Sequence, residues 1–398
     1  MTAAYKYVVV GGGMAADAAL RGIRGQDPNG TVLMVSQEIF PPYDRPPLSK
    51  GLWKQGGRVE NVWRSLDYNQ LRVDLRLGVR AERIDAAAHE LWLAGGVRVP
   101  YERLLLATGG APRELAGHPR GVTYFRTVED YFRLRRAMLG GHEAVVVGGG
   151  FIGAEMAAAL TLAGKHVHLV LPEAGVLSRL LPPSLSAAIT EDYAQRGVTV
   201  HAGHQVTHVE ARGDDSWRVV TDAGAALDAS GVVAGLGIVP RVDLMTALGV
   251  DCPDGIVVDR LGATAVEAVY AAGDVANFPS PALGRRMRME HEDHANRHGE
   301  CVGANMAGQE QAYDYLPFFY SDLFDLGFEA VGRLDSQLAT VEDWVEPQKR
   351  GVVFYLEDQH VVGVLAVDLW DRMDRARALI VDGEPVGDGS RLRGRLTG

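Results

Sequence analysis

The residues of this chain best placed to do chemistry are two glycine turns. Gly11-Gly12-Gly13-Met14-Ala15-Ala16 is a G-x-G-x-x-A pattern, and Gly148-Gly149-Gly150-Phe151-Ile152-Gly153 is the full G-x-G-x-x-G. Each follows a short β-branched apolar run and precedes an Ala/Leu-rich segment, the context in which the pattern reads as a pyrophosphate cradle. Gly11 and Gly148 permit the tight turn, Gly13 and Gly150 let backbone N–H groups approach a pyrophosphate at a helix N-terminus, and Ala16 and Gly153 allow close helix–strand packing. Glu173 lies 25 residues beyond Gly148, where an acid bonds a ribose 2′-OH. A carboxylate there repels a 2′-phosphate and favours NADH, while nearby Arg179 could instead accept that phosphate. In the first repeat the matching position is Gln37, with Glu38 beside it. Two dinucleotide units with no Cys-x-x-Cys pair imply direct transfer between two nucleotides, one FAD and the other NAD(H).

The elements that must hold these turns follow from the same stretches. Residues 6–10 and 143–147 read as buried strands, residues 15–23 and 154–163 as helices, and residues 31–35 and 166–171 as second strands, so a βαβ unit occurs twice. Leu104-Leu-Leu-Ala-Thr-Gly and Ala268-Val-Tyr-Ala-Ala-Gly-Asp read as buried parallel strands opening onto a ligand, which brings Thr108 and Gly109 to a binding edge. From Pro317 the runs alternate and are aromatic, predicting an antiparallel sheet, a helix over 373–381 and a loose glycine-rich tail from Gly383.

Composition sets the outer bounds. The 398 residues predict two or three domains; 47% apolar and 23% charged residues are globular values. Glycine numbers 48, about 12% against a usual value of about 7%, without a collagen period. The net charge of −11 argues against nucleic acid and anionic membrane surfaces as partners. Two cysteines 49 positions apart, no leader-like start and no long apolar span predict a cytoplasmic chain with no membrane segment.

Pro42-Tyr-Asp-Arg-Pro-Pro-Leu-Ser-Lys-Gly-Leu-Trp resembles the flavin loop shared by bacterial dioxygenase ferredoxin reductases and apoptosis-inducing factor. Leu171-Pro-Glu-Ala-Gly, Met289-Glu-His-Glu-Asp-His-Ala and Gly351-Val-Val-Phe-Tyr-Leu extend the likeness over almost the whole chain. The sequence is thus similar to the apoptosis-inducing-factor-like branch of the pyridine nucleotide–disulfide oxidoreductase superfamily, without its disulfide. The resemblance implies an α/β chain of two Rossmann-like domains in a glutathione-reductase-like arrangement plus a C-terminal α+β domain. The expected boundaries are 1–115 and 241–316 for FAD, 116–240 for NAD(H), and 317–398 for the C-terminal domain.

The same resemblance implies site roles. Arg45, Lys50, Arg126 and Asp274 would contact FAD, and Ala81 would meet its adenine through the main chain. Glu290 and His291 would line the nicotinamide–flavin junction, Glu292 would be a further cofactor-binding residue, and Gly237 and Glu329 would help hold NAD. Phe151 would stack over the flavin as a gate. Lys50, held by Glu155, would place a positive charge beside the flavin ring and favour its reduction. Tyr320 stands where the family has tryptophan in a Phe-Trp-Ser-Asp run.

Two further groupings invite function. His291, His294 and His298 share a helical face, but one helix usually supplies only two metal ligands, so no metal site is expected. Arg285, Arg286 and Arg288, with Arg372, Arg375 and Arg377, could steer an acidic ferredoxin or form solvated faces. The expected activity is FAD-dependent NAD(P)H oxidation, with a ferredoxin, a quinone or oxygen open as acceptor. The alternative is a redox-responsive interaction protein holding a long-lived reduced-flavin/NAD⁺ complex. The targeting segment and long C-terminal insertion of mammalian apoptosis-inducing factor do not recur, so its death signalling is not carried over, and no particular oligomer is expected.

Overall fold

A computed structural model describes residues 4–64, 67–213, 216–387 and 389–398. They divide into two compact units, the first comprising Met1–Asp44, Val59–Ala111 and Val239–Pro317, the second Arg45–Arg58, Pro112–Ile238 and Phe318–Gly398.

In the first unit the valine run becomes strand Tyr5–Val10, flanked in parallel by Val32–Val35 and by the C-terminal half of Val97–Leu106. Val73–Arg76 extends the sheet beyond Val32–Val35, and Val269–Ala271 runs parallel to Val97–Leu106 on its other side. The near-continuous apolar runs fit strands covered on both faces. Helix Met14–Gln26 lies against helix Glu292–Met306 at glycine distance. A Cβ at Gly303 would sit 2.1 Å from the Ala19 carbonyl oxygen, and one at Gly299 would sit 2.3 Å from that of Ala15. Part of the glycine excess is explained here, since two backbones can approach this closely only where one lacks side chains.

His294 and His298, both fully buried, join Phe278 and Tyr313 in one aromatic stack. Ring centroids are 4.7 Å apart for Phe278–His294, 4.8 Å for His294–His298 and 4.6 Å for His298–Tyr313. His294 Nδ1 lies 3.1 Å from the Tyr313 hydroxyl, and the Gly273 N–H donates to His298 Nδ1 at 3.3 Å. Burial pushes the His294 imidazole down to about 3 and His298 well below its ordinary value. These two rings pack the core as neutral imidazoles, and among the described residues no three metal-ligating side chains converge.

The second unit carries the second repeat. Its parallel sheet runs in the order Val198–Ala202, His166–Leu171, Glu143–Val147, Gly231–Ala234, Val122–Tyr124. The antiparallel meander Val206–Ala211, Trp217–Thr221, Ala226–Ala229 covers one face, with Val209, Val219 and Leu227 against Val145, Val147 and Val170. The C-terminal segment forms the expected antiparallel sheet, ordered Phe318–Leu323, Leu326–Gly332, His360–Val367, Arg350–Glu357, Ala339–Glu346, followed by helix Met373–Asp382. The expected loose tail is instead anchored: Leu392 and Leu396 are buried, and the Thr397 hydroxyl donates to Asp343 at 2.7 Å. Two leucines among six polar or glycine neighbours sufficed to dock it. No helix among the described residues is long and apolar enough to cross a membrane.

Gly303→Val drives a side chain into the helix Met14–Gln26 backbone and should lower the apparent melting temperature by several degrees, overpacking costing about 1–3 kcal/mol; circular dichroism melts check this. Unfolded histidines take up protons near pH 6.5, while folded His294 does not until about pH 3 and folded His298 only well below its ordinary value, so the unfolded chain binds more protons as the pH falls below about 6.5. Stability from this pair is therefore complete above about pH 6.5 and falls with acidification. Urea midpoints measured from pH 7 to pH 5 should decline, and His294→Gln should flatten the slope.

Candidate functional site

The two turns have the local geometry a pyrophosphate needs. Gly11 holds φ at 136° and Gly148 at 109°, a region open to glycine. A Cβ at Gly11 would lie 2.2 Å from the Ala107 carbonyl oxygen, and one at Gly148 would lie 2.4 Å from that of Gly235. At the third position of each pattern Ala16 is fully buried, and a Cβ at Gly153 would lie 1.8 Å from the Gly148 carbonyl oxygen. Helices Met14–Gln26 and Phe151–Leu162 start from Gly13 and Gly150 with extended backbone and no side-chain cap. Their first N–H groups, at the positive end of the helix dipole, are left for an anion. In front of Gly150 a Cβ would meet nothing within 4 Å, so backbone and ligand can close up.

At the ribose position of the second repeat, Glu173 Oε1 pairs with Arg179 Nη2 at 2.5 Å, while its Oε2 is buried with no partner among the described residues. A buried carboxylate oxygen left unsatisfied fits a ligand hydroxyl donor. The Arg179 side chain is itself 78% exposed. In the first repeat exposed Gln37 accepts from Arg241 Nη1 at 3.3 Å, and Glu38 accepts from the Tyr43 hydroxyl at 2.5 Å.

Lys50 and Glu155, 105 positions apart in sequence, meet: Lys50 Nζ is 3.1 Å from Glu155 Oε1, with side chains only 12% and 7% exposed. Glu155 is the sole charged residue of the Ala-rich helix Phe151–Leu162. The Lys50 ammonium also lies 4.3 Å from the centroid of the Tyr320 ring, a cation–π contact. Across the sheet Tyr320 pairs with Glu329, whose Oε2 is buried without a partner among the described residues and whose carboxyl is pushed up by burial and then by the Asp371 charge. Phe151 opens its helix and packs edge-on against Phe319, with ring centroids 5.2 Å apart, and tilted against Phe328 at 6.1 Å. The structure thus brings Lys50, Glu155, Tyr320 and Glu329 to one neighbourhood, with Phe151 on the same helix as Glu155.

The other expected residues have local partners. Arg45 Nη1 donates to the Arg126 carbonyl at 2.9 Å. Ala81 opens strand Ala81–Asp85, where its main chain pairs with Leu93. The Thr108 hydroxyl donates to the Arg241 carbonyl at 2.8 Å, Gly109 holds φ at 61°, and Gly237 at 80° accepts from the Arg113 N–H. Arg288 reaches both the Asp274 carbonyl at 3.2 Å and Glu290 Oε1 at 2.6 Å. His291 caps helix Glu292–Met306, with Glu292 in its first turn.

Sequence reasoning missed three groups. Ser49 and Ser321 both donate to Glu155, at 2.5 Å to Oε2 and 2.6 Å to Oε1. Asp17, buried immediately after Ala16, is held by Arg64 at 2.7 Å and by the Tyr68 hydroxyl at 3.1 Å, and burial pushes its carboxyl up. The available signals were a serine beside Lys50, a serine on the inward face of an apolar strand, and a lone acid in an Ala-rich helix.

Residues 5–299 match the family model for pyridine nucleotide-disulphide oxidoreductases, and residues 302–350 match that for the mitochondrion-associated C-terminal region of apoptosis-inducing factor. The chain is 35% identical to mitochondrial apoptosis-inducing factor 1 of Dictyostelium discoideum, over 98% of this chain and 80% of that one. It is also 35% identical to the ferredoxin–NAD(+) reductase component of the anthranilate 1,2-dioxygenase system of Burkholderia cepacia, over 95% and 94%. The reductase in a covalent putidaredoxin reductase–putidaredoxin complex superposes with a TM-score of 0.89 at 30% identity, covering 98% of this chain and 95% of that one. With two glycine turns of this geometry, a buried lysine–carboxylate pair and these matches, the chain belongs to the pyridine nucleotide-disulphide oxidoreductase family as an FAD-dependent NAD(P)H oxidoreductase.

Proposed function

We propose that the protein oxidises NADH and passes the electrons to an iron–sulfur protein of the ferredoxin type. When bound, FAD takes a hydride from the nicotinamide and releases the two electrons singly. The observation that carries this reading is the buried Lys50–Glu155 pair beside Tyr320, in a chain whose two cysteines are both unpaired. With no thiol pair to relay electrons, an acceptor must take them from the flavin itself. The ferredoxin class is supported by the reductases of Burkholderia cepacia and of the putidaredoxin complex. Free cysteines also fit a cytoplasmic setting.

In the first unit Gly11, Gly13 and Ala16 would hold the FAD pyrophosphate, Glu38 or Gln37 its ribose, Ala81 its adenine, and Thr108, Gly109 and Asp274 its remaining polar edge. Glu290 and His291 would face the ring junction, with Glu292 a further cofactor-binding residue. In the second unit Gly148, Gly150 and Gly153 would hold the NAD pyrophosphate, with Gly237 and Glu329 nearby, and Arg45 and Arg126 would reach FAD. Lys50 supplies a fixed positive charge that favours the negative charge gained on reduction, and Glu155 keeps that charge from moving. Phe151 would cover the ring until nicotinamide arrives. The segments 1–115 with 241–316, 116–240, and 317–398 are assigned as FAD, NAD and C-terminal domains. Glu173 would accept a ribose hydroxyl at Oε2, and a carboxylate there repels a 2′-phosphate, which supports NADH over NADPH.

Anaerobic mixing of the holoprotein with NADH should bleach the visible flavin band at once, and a plant-type or bacterial [2Fe–2S] ferredoxin should restore it; an unbleached spectrum overturns the reading. The match of residues 302–350 to apoptosis-inducing factor favours a second reading, a slowly reoxidised complex, which a long-wavelength band persisting in air would establish in its place. Glu173→Ala should raise KM for NADH and cut the NADH/NADPH preference by about tenfold, with kcat little changed, as steady-state kinetics with both cofactors will read.

A further inference from the structure

We propose that Ser49 and Ser321 are positioning residues for the flavin charge: together they hold the Glu155 carboxylate so that Lys50 is steadied but not drawn in. The inference rests on the reading that Lys50 faces the flavin. Glu155 projects from a helix whose other side chains are apolar or hydroxylic, and in such surroundings an ionised carboxylate needs donors on both oxygens. The Ser49 hydroxyl donates to Oε2 at 2.5 Å and the Ser321 hydroxyl to Oε1 at 2.6 Å, the short range of hydroxyl–carboxylate bonds. Lys50 sits at 3.1 Å from Oε1, beyond the usual range for an ammonium–carboxylate bond. The hydroxyls, not the ammonium, take the closest places on the carboxylate.

The elements that supply these donors come from distant parts of the chain. Ser49 ends the 3₁₀ turn Pro46–Ser49, one residue before Lys50, so the loop that delivers the ammonium is pinned to the same carboxylate. Ser321 lies on strand Phe318–Leu323 next to Tyr320, whose ring carries the other face of the ammonium. Both serines are fully or almost fully buried, where a hydroxyl without such a partner would be costly. Lys54 and Asp322 are the other charged groups lining the cleft that holds Ser49, Lys50 and Glu155.

Removing the Ser321 hydroxyl frees a lone pair on Oε1, where Lys50 at 3.1 Å is the next donor, and removing the Ser49 hydroxyl unpins the loop that carries Lys50 from the same carboxylate. The ion pair then tightens and the positive charge moves away from the ring it favours. Equilibration of the bound flavin with a redox dye and a chemical reductant, at fixed pH, reads this without turnover. Ser321→Ala and Ser49→Ala should each shift the oxidised-to-reduced ratio about fivefold toward oxidised flavin, with flavin content and circular dichroism unchanged, and Ser321→Thr should restore the wild-type ratio. Lys50→Met is the control for the underlying reading: if it leaves the ratio unmoved, Lys50 does not tune the flavin and that reading fails. If Lys50→Met moves the ratio and neither serine variant does, or Ser321→Thr fails to restore it, the proposal is overturned.

Discussion

A carboxylate in an apolar helix is the constraint around which the second unit is arranged. Glu155 lies on the second turn of Phe151–Leu162, a helix so rich in alanine and leucine that it is buried on nearly every side. An ionised group there loses the stabilisation of water, worth several kcal/mol, and keeps its charge only if donors replace that water. Three donors do so, reaching it from the loop that carries Ser49 and Lys50 and from the strand that carries Ser321. The demand of one charge therefore ties together segments more than 150 positions apart, and the lysine it holds is thereby fixed in a nearly dry environment. In such a place a positive charge acts at close to full strength on whatever ring it faces.

The phosphate-binding turns impose the opposite demand, a need for empty space. Gly11, Gly148 and Gly153 each stand where a single methyl group would collide with backbone carbonyl oxygen, while Gly150 faces open volume. The turn must be tight behind and vacant in front. The same economy of side chains recurs between helices Met14–Gln26 and Glu292–Met306, where Gly299 and Gly303 let one helix ride against the other and so fix the direction of the first pyrophosphate turn. Glycine is thus abundant in part because backbone, not side chains, makes these close approaches.

Much of this was readable in one dimension. A repeated valine run, glycine turn and alanine-rich helix is a local pattern, and both βαβ units form where it occurs because strand and helix periodicities are set within a few residues. The antiparallel C-terminal sheet followed from alternation in the same way. The tail from Gly383 did not, because its anchors, Asp343 on an earlier strand and Arg372 before the last helix, lie far from Leu392 and Leu396 in sequence. His291, His294 and His298 are evenly spaced on one helix, yet the spacing is silent on whether a helical face meets a metal or an aromatic ring; Phe278 and Tyr313, supplied from elsewhere, make it a stack.

Residue type and local spacing determined the nucleotide turns, the acid at Glu173 and the absence of a dithiol, because a pyrophosphate is bound by consecutive backbone groups. Folding decided which oxygen of Glu173 is occupied by Arg179, that Tyr320 shares Lys50 with Glu155, and that Ser49 and Ser321 converge on one carboxylate. Apart from Glu173 and Arg179, those contacts join positions far apart in the chain. Their energies come from desolvation and approach distance, quantities that exist only once the chain has closed on itself.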